Sequence, residues 1–273
     1  MKRNRLIDCI TFFDNNLIFE IRYNILVNYV DYFVICESKY DHAGNPKKQN
    51  FKFKSEFDKK KIIYILLDKP FPKDTDRWQN QAIQREFLLD NLNFADEEDF
   101  IFFSGPDEII KPELLINFHL KKKYGIFLQN CFNYKLNLYN QYESPWEGTR
   151  VTKKKNLKSI NFMRQKILKK NLKYNFLRFD KEKSIEIIEN AGWHFNNLMS
   201  PKDISLKLKT FAHKEFSDNK YSSEIIIEDK IKKKIDLFER GHKYEAVKLD
   251  SSFPGELLSN KDVYKEYFSL TND

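Results

Sequence analysis

Two adjacent carboxylates, Asp107 and Glu108, follow an apolar run in the segment 99–113, which reads DFIFFSGPDEIIKPE. Residues 100–103 have the length and aromatic content of a strand that is buried on both faces. Carboxylates on the loop that leaves such a strand can hold a divalent cation that also bridges substrate phosphates. The alternative is that both acids only precede a helix that begins at Pro112, because a helix N-terminus favours negative charge.

Composition and charge limit the class of protein. The 273 residues are enough for one large domain with a substantial core. No apolar run approaches the roughly 18 residues that a membrane span needs, and no apolar stretch lies near Met1, so we expect neither an anchor nor a signal peptide. The three cysteines lie far apart in apolar surroundings, which fits free thiols in a reducing cytoplasm and shows no zinc-binding spacing. The net charge of +8 suits anionic partners such as nucleotides, phospholipid headgroups, acidic glycans or nucleic acid.

The elements that must position the two carboxylates alternate between strand and helix patterns over the first 110 residues. On the first helix, Ile18 and Ile21 belong to the apolar face, and Arg22 is expected to face elsewhere. This alternation predicts an α/β fold with a doubly wound, mainly parallel sheet. Six elements are expected, and they lie at 6–13, 17–29, 32–36, 62–67, 76–91 and 100–103.

The second half of the chain is less regular. Residues 124–139 are typical of one long strand or two joined strands, and the segment 185–195 begins as a strand. Pro201 opens a helix, a Lys-rich helix covers 225–238, and a short helix follows Phe253. No repeat or low-complexity linker marks a boundary, so we predict a single domain over the whole chain with a C-terminal helical flank.

Several short stretches occur in the order that is typical of one enzyme family. They are FEIRYN at 19–24, VDYFVICES at 30–38 with Gly44-Asn45-Pro46, Gln84-Arg85, residues 104–109, and Gly192-Trp193-His194 followed by Pro201 and 206–208. With them the sequence resembles glycosyltransferase family 17, the family of the β-1,4-mannosyl-glycoprotein 4-β-N-acetylglucosaminyltransferase. The resemblance implies a GT-A-like, Rossmann-like fold, with 1–110 as the nucleotide-sugar-binding half and 111–273 as the acceptor-side half and helical flank. It also implies a UDP-sugar donor (UDP-GlcNAc in the known members), a Mn²⁺ or Mg²⁺ ion, and transfer with inversion.

The sequence departs from the family pattern at the expected metal loop. The pattern resembles D-x-D-E-I-P, whereas residues 105–110 read GPDEII. Because Gly105 stands where the first aspartate is expected, metal binding must rest on Asp107, with Glu108 or His194 as a second ligand. One or two protein ligands are enough for Mg²⁺ or Mn²⁺ when water and phosphate oxygens complete the coordination shell.

Other residues are expected to contact the donor. Glu37 ends the second strand, where a GT-A-like sheet would present it to the uracil or ribose. Arg85 could bind phosphate with two hydrogen bonds or pair with a carboxylate at the sheet edge, and the alternative is an ion pair with Glu86 or Asp90 on its own helix. His194 could reach the diphosphate or the metal, or it could be a structural hydrogen-bonding residue. The full donor-binding set is Glu37, Arg85, Asp107, Glu108 and His194.

Inversion requires a general base near the acceptor hydroxyl. Glu143 and Glu147 flank Trp146 on a predicted loop and are the candidate bases, with Asp180 as a third. Trp146 and Trp193 are candidates for acceptor binding, since an aromatic face can stack on a sugar ring. Trp146 could equally be a packing residue, because tryptophan is often buried.

The predicted function is an inverting glycosyltransferase that moves a sugar, GlcNAc by the resemblance, from a UDP-sugar to a glycan. The acceptor is expected to be an oligosaccharide, a lipid-linked or lipopolysaccharide-type glycan, or a glycoprotein, with peripheral membrane contact as an option. Two alternatives stay open. One is a nucleotide-sugar-binding or glycan-binding protein that has lost turnover, and the other is a nucleic-acid-binding protein. The basic runs are scattered and no nucleic-acid recognition module is visible, so no nucleic-acid partner is expected.

Overall fold

The structure is a computed structural model that describes residues 3–210, 212 and 214–271. Its strands form one sheet whose main path runs β11-β7-β6-β8-β4-β1-β2-β3, with β9 and β10 paired to β6 and β5 paired to β10. The strands are β1 (Leu6–Phe12), β2 (Tyr32–Ser38), β3 (Ile62–Leu67), β4 (Phe100–Ser104), β5 (Glu108–Ile110), β6 (Tyr124–Asn133), β7 (Leu138–Tyr139), β8 (Trp146–Lys153), β9 (Ile185–Ile188), β10 (Gly192–Asn196) and β11 (Glu245–Ala246).

The four strands β3, β2, β1 and β4 are parallel to one another, whereas β8 is antiparallel to both β4 and β6. The chain therefore builds β1, β2 and β3 in one direction and then returns to place β4 on the other side of β1. The predicted α/β fold, with a parallel, doubly wound first half, is confirmed. The second half makes the sheet mixed.

Helices cover both faces of the sheet. The α-helices are α1 (Asn16–Leu26), α2 (Arg77–Asp90), α3 (Ile160–Lys166), α4 (Pro201–Thr210), α5 (Asn219–Ser222), α6 (Glu224–Lys232) and α7 (Gly255–Ser259). On β1, Leu6 and Ile10 pack in the same cluster as α1, while Ile7 and Cys9 pack in the cluster that contains Leu88 of α2. Burial on both faces explains why these strands are apolar runs rather than alternating patterns.

The segment after β4 differs from the prediction. Pro112–Leu115 is a short 3₁₀ turn rather than the start of a longer helix, and Glu108 begins strand β5. Ile109 and Ile110 are buried, and β5 pairs with β10 in antiparallel register. Pairing with a distant strand therefore fixes an extended conformation here. Asp107 accordingly lies in a turn between two strands and not in a strand-to-helix loop.

Arg22 is also placed differently from the prediction, because it is fully buried rather than on the outer face of α1. Its Nε donates to Oδ2 of Asp8 at 2.6 Å, and its Nη1 donates to the carbonyl oxygen of Glu108 at 2.5 Å. The buried carboxylate of Asp8 on β1 supplies the partner that lets an arginine leave solvent. This contact joins α1 and β1 to the start of β5.

Within the described residues, no helix has both the length and the apolar character needed to span a membrane.

Candidate active site

Strand β10 brings residues from three distant parts of the chain together. In the sheet register, His194 lies opposite Glu108 of β5 on one side and opposite Cys131 of β6 on the other. Gly192 permits this insertion. It has φ of +145°, and a Cβ at this position would lie 2.0 Å from the carbonyl oxygen of Ile109.

Asp107 and His194 form a pair at the carboxyl end of β4. Nε2 of His194 lies 3.5 Å from Oδ1 of Asp107, and the Asp107 side chain keeps 18% of its surface exposed. Burial favours a higher pKa for Asp107, but the charge of His194, together with that of Lys207, outweighs it and holds the pKa well below the ordinary value. Burial likewise favours a lower pKa for His194, and the charge of Asp107 outweighs it, so that the His194 pKa is raised well above the ordinary value. The two side chains therefore form an ion pair with one accessible carboxylate edge.

Glu108 is held entirely by the protein. Arg164 of α3 binds both of its carboxylate oxygens, with Nη1 donating to Oε2 at 3.0 Å and Nη2 donating to Oε1. Nε1 of Trp146 donates to Oε1 at 2.8 Å, and the backbone N–H of Gly105 donates to Oε2 at 2.8 Å. Burial favours a higher pKa for Glu108, yet the charge of Arg164 holds the pKa below the ordinary value. Glu108 therefore anchors the site and has no free oxygen to offer a cation.

Cys131 connects His194 to one of the candidate bases. Its Sγ lies 3.6 Å from Nδ1 of His194 and 4.0 Å from Oε2 of Glu143. Glu143 accepts hydrogen bonds from Nη1 of Arg240 at 2.7 Å and from Nδ2 of Asn140 at 2.7 Å. Glu143 thus belongs to the same polar cluster as His194, and two donors fix its carboxylate.

A sequence profile described as Glycosyltransferase family 17 matches residues 1–243. The chain belongs to glycosyltransferase family 17. A comparison with curated proteins gives no match. Among solved structures, the crystal structure of HddC from Yersinia pseudotuberculosis is similar over 68% of this chain and 91% of that chain, with 7% sequence identity and a TM-score of 0.36. That likeness is too distant to bear on the function.

A family 17 glycosyltransferase with a metal would have to hold it with few protein ligands. In the portion of the chain that the structure describes, no group of three or more His, Cys, Asp and Glu side chains is arranged to hold a metal ion. Asp107 nevertheless offers a partly exposed carboxylate, and His194 would add an imidazole nitrogen once the incoming cation displaced the proton that it carries in the ion pair. Such a pair fits Mn²⁺ or Mg²⁺ when water and donor oxygens supply the other ligands.

The two predicted acceptor-binding tryptophans lie in different environments. Trp146 begins β8 instead of lying in a loop, is half-buried, and has its ring centroid 4.8 Å from that of His194. Trp193 is 3% exposed, and its Nε1 donates to the carbonyl oxygen of Ser252 at 3.0 Å. Successive residues of β10 point to opposite faces, so His194 enters the site while Trp193 packs in the core. Of the two tryptophans, Trp146 is the one that both contacts His194 and keeps exposed surface.

The other two candidate bases lie outside the cluster around His194. Glu147 is in β8, where its Oε2 accepts from the backbone N–H of Lys169 at 3.0 Å and lies 3.3 Å from Nη2 of Arg150. Asp180 lies on an exposed loop and forms an ion pair with Arg178 at 2.7 Å. Among the three acids, Glu143 is the one whose contacts lead to His194.

Glu37 and Arg85, two of the predicted donor contacts, differ in accessibility, because Glu37 has no exposed surface whereas Arg85 is half-buried. Glu37 is fully buried and accepts four hydrogen bonds, from Nζ of Lys47, the backbone N–H groups of residues 50 and 51, and the hydroxyl of Tyr64. It therefore fixes the loop after β2 rather than presenting itself to the uracil or ribose. Nη1 of Arg85 donates to Oδ1 of Asn161 at 3.0 Å rather than to an acidic neighbour on α2. Burial and then the charge of Arg164 lower the pKa of Arg85 to about 10, whereas the charge of Glu108 acts in the opposite direction.

Three residues of the site were not identified from the sequence. Arg164 lies on the seven-residue helix α3, which has no clear periodicity, and Cys131 lies in an apolar strand where it is indistinguishable from a core residue. Lys207 donates to Oδ1 of Asn197 at 2.9 Å, and its charge contributes to the low pKa of Asp107. Lys207 falls in the stretch 206–208 that resembles the family, which is the one signal that could have identified it.

Proposed function

We propose that this family 17 protein is an inverting glycosyltransferase that transfers a sugar from a UDP-sugar to a glycan with the help of Mn²⁺ or Mg²⁺. The observation that carries the proposal is the contact between Asp107 and His194 at the end of β4. The strand order reverses at β1, because β2 and β3 lie on one side of it and β4 lies on the other. In doubly wound sheets, ligands bind outside the carboxyl ends of the strands at such a reversal. The accessible carboxylate lies at this position.

Each side chain of the cluster has a role in the proposed reaction. Asp107 and His194 would hold the cation, which when bound supplies Lewis-acid stabilisation of the departing diphosphate. Lys207, whose charge acts on Asp107, would add positive charge for the same diphosphate. Glu143 would accept the proton of the acceptor hydroxyl. Trp146, held by Glu108, would stack on a sugar ring.

The donor sugar is proposed to be GlcNAc, as in known members of the family, and the acceptor is a glycan carried by an oligosaccharide, a lipid or a protein. The expected compartment is the cytoplasm.

A thermal-shift panel of nucleotide sugars, with and without MnCl₂, tests the proposal. A ligand that binds only the folded protein stabilises it, by about 2.7 kcal/mol at a concentration 100 times its Kd. We expect UDP-sugars to raise Tm more than GDP-sugars or ADP-sugars, and more with Mn²⁺ than without it. The variant Asp107→Asn should lose the Mn²⁺-dependent part, whereas Asp262→Asn, at an exposed position, should keep it.

Equal shifts for all nucleotides, unaffected by Mn²⁺ and retained in Asp107→Asn, would contradict the proposed site. Selective UDP-sugar binding without hydrolysis or transfer to any acceptor would instead favour a binding protein. That alternative rests on Gly105, which stands where the family pattern has an aspartate.

A further inference from the structure

The loop 171–182 lies between α3 and β9, and hydrogen bonds hold its two ends together. Asn171 is buried at its base, and its Nδ2 donates to the carbonyl oxygens of Lys166 at 2.7 Å and Glu182 at 3.2 Å. One side chain thereby joins the start of the loop to its end. A loop closed in this way presents a defined surface, and such loops are frequently functional.

The outer end of the loop is apolar and exposed. Phe176 is 76% exposed, Leu177 is 60% exposed and Phe179 is 87% exposed. Backbone hydrogen bonds from Arg178 N–H to the Asn175 carbonyl and from Phe179 N–H to the Leu177 carbonyl, each 3.0 Å long, fold the tip locally. Three large apolar side chains on neighbouring positions of one folded tip form a patch that soluble proteins usually reserve for an interaction.

Basic residues surround this apolar tip. The segment 169–183 contains six basic residues and two acidic residues, a net charge of +4. Asp180, one of the two acids, is already paired with Arg178 at 2.7 Å and with Lys181 at 3.2 Å. The basic residues are Lys169, Lys170, Lys173, Arg178, Lys181 and Lys183.

An apolar tip that is surrounded by basic residues is complementary to the interfacial region of an anionic bilayer. Aromatic and aliphatic side chains enter the boundary between headgroups and acyl chains, while lysine and arginine pair with lipid phosphates. A second copy of this chain is a poorer partner, because two surfaces of the same sign repel each other. We propose that the loop 171–182 docks the protein on an anionic membrane surface.

The base of the loop is connected to elements that carry the candidate active site. It begins shortly after α3, whose Arg164 holds Glu108, and the N–H of Lys169 donates to Glu147 at the start of β8. Docking through the loop would therefore bring the site to the bilayer surface, where a lipid-linked glycan presents its sugar. This last step rests on the proposed function, whereas the docking itself does not.

Co-sedimentation with vesicles tests the docking. We expect the protein to bind vesicles of phosphatidylcholine with phosphatidylglycerol, to bind pure phosphatidylcholine weakly, and to be released by high salt. The double variant Phe176→Ser/Phe179→Ser should lower the bound fraction on the order of tenfold at unchanged Tm. The matched control Ile225→Ser/Val263→Ser alters two side chains that are 80% and 70% exposed outside the loop, and it should bind as the parent does.

Absence of binding to anionic vesicles, or equal binding by the loop variant and the parent, would overturn the proposal. A dimer of the parent that the loop variant abolishes, or retention on RNA that it abolishes, would also overturn it in favour of another partner. Vesicle binding needs neither donor nor turnover. If the protein shows the expected UDP-sugar thermal shift but does not bind vesicles, the docking is rejected and the proposed function is unaffected.

Discussion

The ends of β2 and β4 both carry acidic residues, and the structure uses them in opposite ways. Glu37 at the end of β2 is fully buried and accepts hydrogen bonds from four protein donors. Asp107 after β4 keeps part of its surface exposed and faces His194. Of these two carboxylates at strand ends, only that of Asp107 keeps exposed surface at which a ligand could bind.

Asp107 and Glu108 differ in the same way, although they are consecutive in the sequence. Asp107 lies in the turn, whereas Glu108 starts β5 and points to Arg164 and Trp146. Because both oxygens of Glu108 are occupied, its role is to hold the half-buried Trp146 and α3 in place. The acidic pair thus divides into one candidate ligand and one anchor.

Removing the buried carboxylate at β2 should have the largest effect. Glu37→Ala leaves Lys47 and two backbone N–H groups without their acceptor, so we expect the free energy of unfolding in urea to fall by about 3 kcal/mol. The control Glu98→Ala removes an exposed partner of Lys153 and Lys155 and should change the stability little. Equal stability of the two variants would show that Glu37 is not a scaffold residue.

Removing the charge of the accessible carboxylate should act mainly on turnover. Asp107→Asn keeps the shape of the side chain but cannot balance the charge of a cation, so we expect kcat to fall by about 10²-fold. The urea midpoint should fall only moderately, because His194 loses its ion-pair partner but can release its proton. A variant that transfers sugar at the parental rate would place the reaction elsewhere in the molecule.

Adding a carboxylate at Gly105 should have the smallest effect. A Cβ at residue 105 would lie 2.9 Å from Oδ1 of Asp107, so the new acid of Gly105→Asp would crowd and repel it. We expect a loss of about 1 kcal/mol without metal and a larger rise of Tm on adding MnCl₂ than the parent shows. Gly105→Asn has the same size without the charge and is the control. An identical Mn²⁺ response in both variants would contradict this expectation.

The parallel half of the sheet was predictable because each of its strands is short and apolar and packs against helices or loops on both faces. The segments 32–36, 62–67 and 100–103 carry that pattern in full, and each lies within an observed strand. The three-residue strand β5 was not predictable, because it becomes a strand only by pairing with β10, about 80 residues further along the chain.

The candidate site could be predicted only in part. Asp107 and His194 were identified separately, but their contact depends on the register of β10. Arg22 was assigned to the outer face because periodicity treats arginine as a surface residue. Asp8 is the one signal of this buried pair, because it is an acidic residue inside the apolar strand LIDCITF. A periodicity that is evaluated one element at a time cannot predict an ion pair between residues on separate elements.

The position of β10 in the sheet has a consequence for synthesis of the protein on the ribosome. When β1 to β4, β6 and β8 have been translated, the nascent chain already contains the parallel sheet and its acidic turn. Strand β5 still lacks its pairing partner and His194 has not been made, since both depend on residues 192–196. A growing polypeptide of this kind would acquire its candidate active site only when residues 192–196 had emerged, after the strands of the parallel sheet.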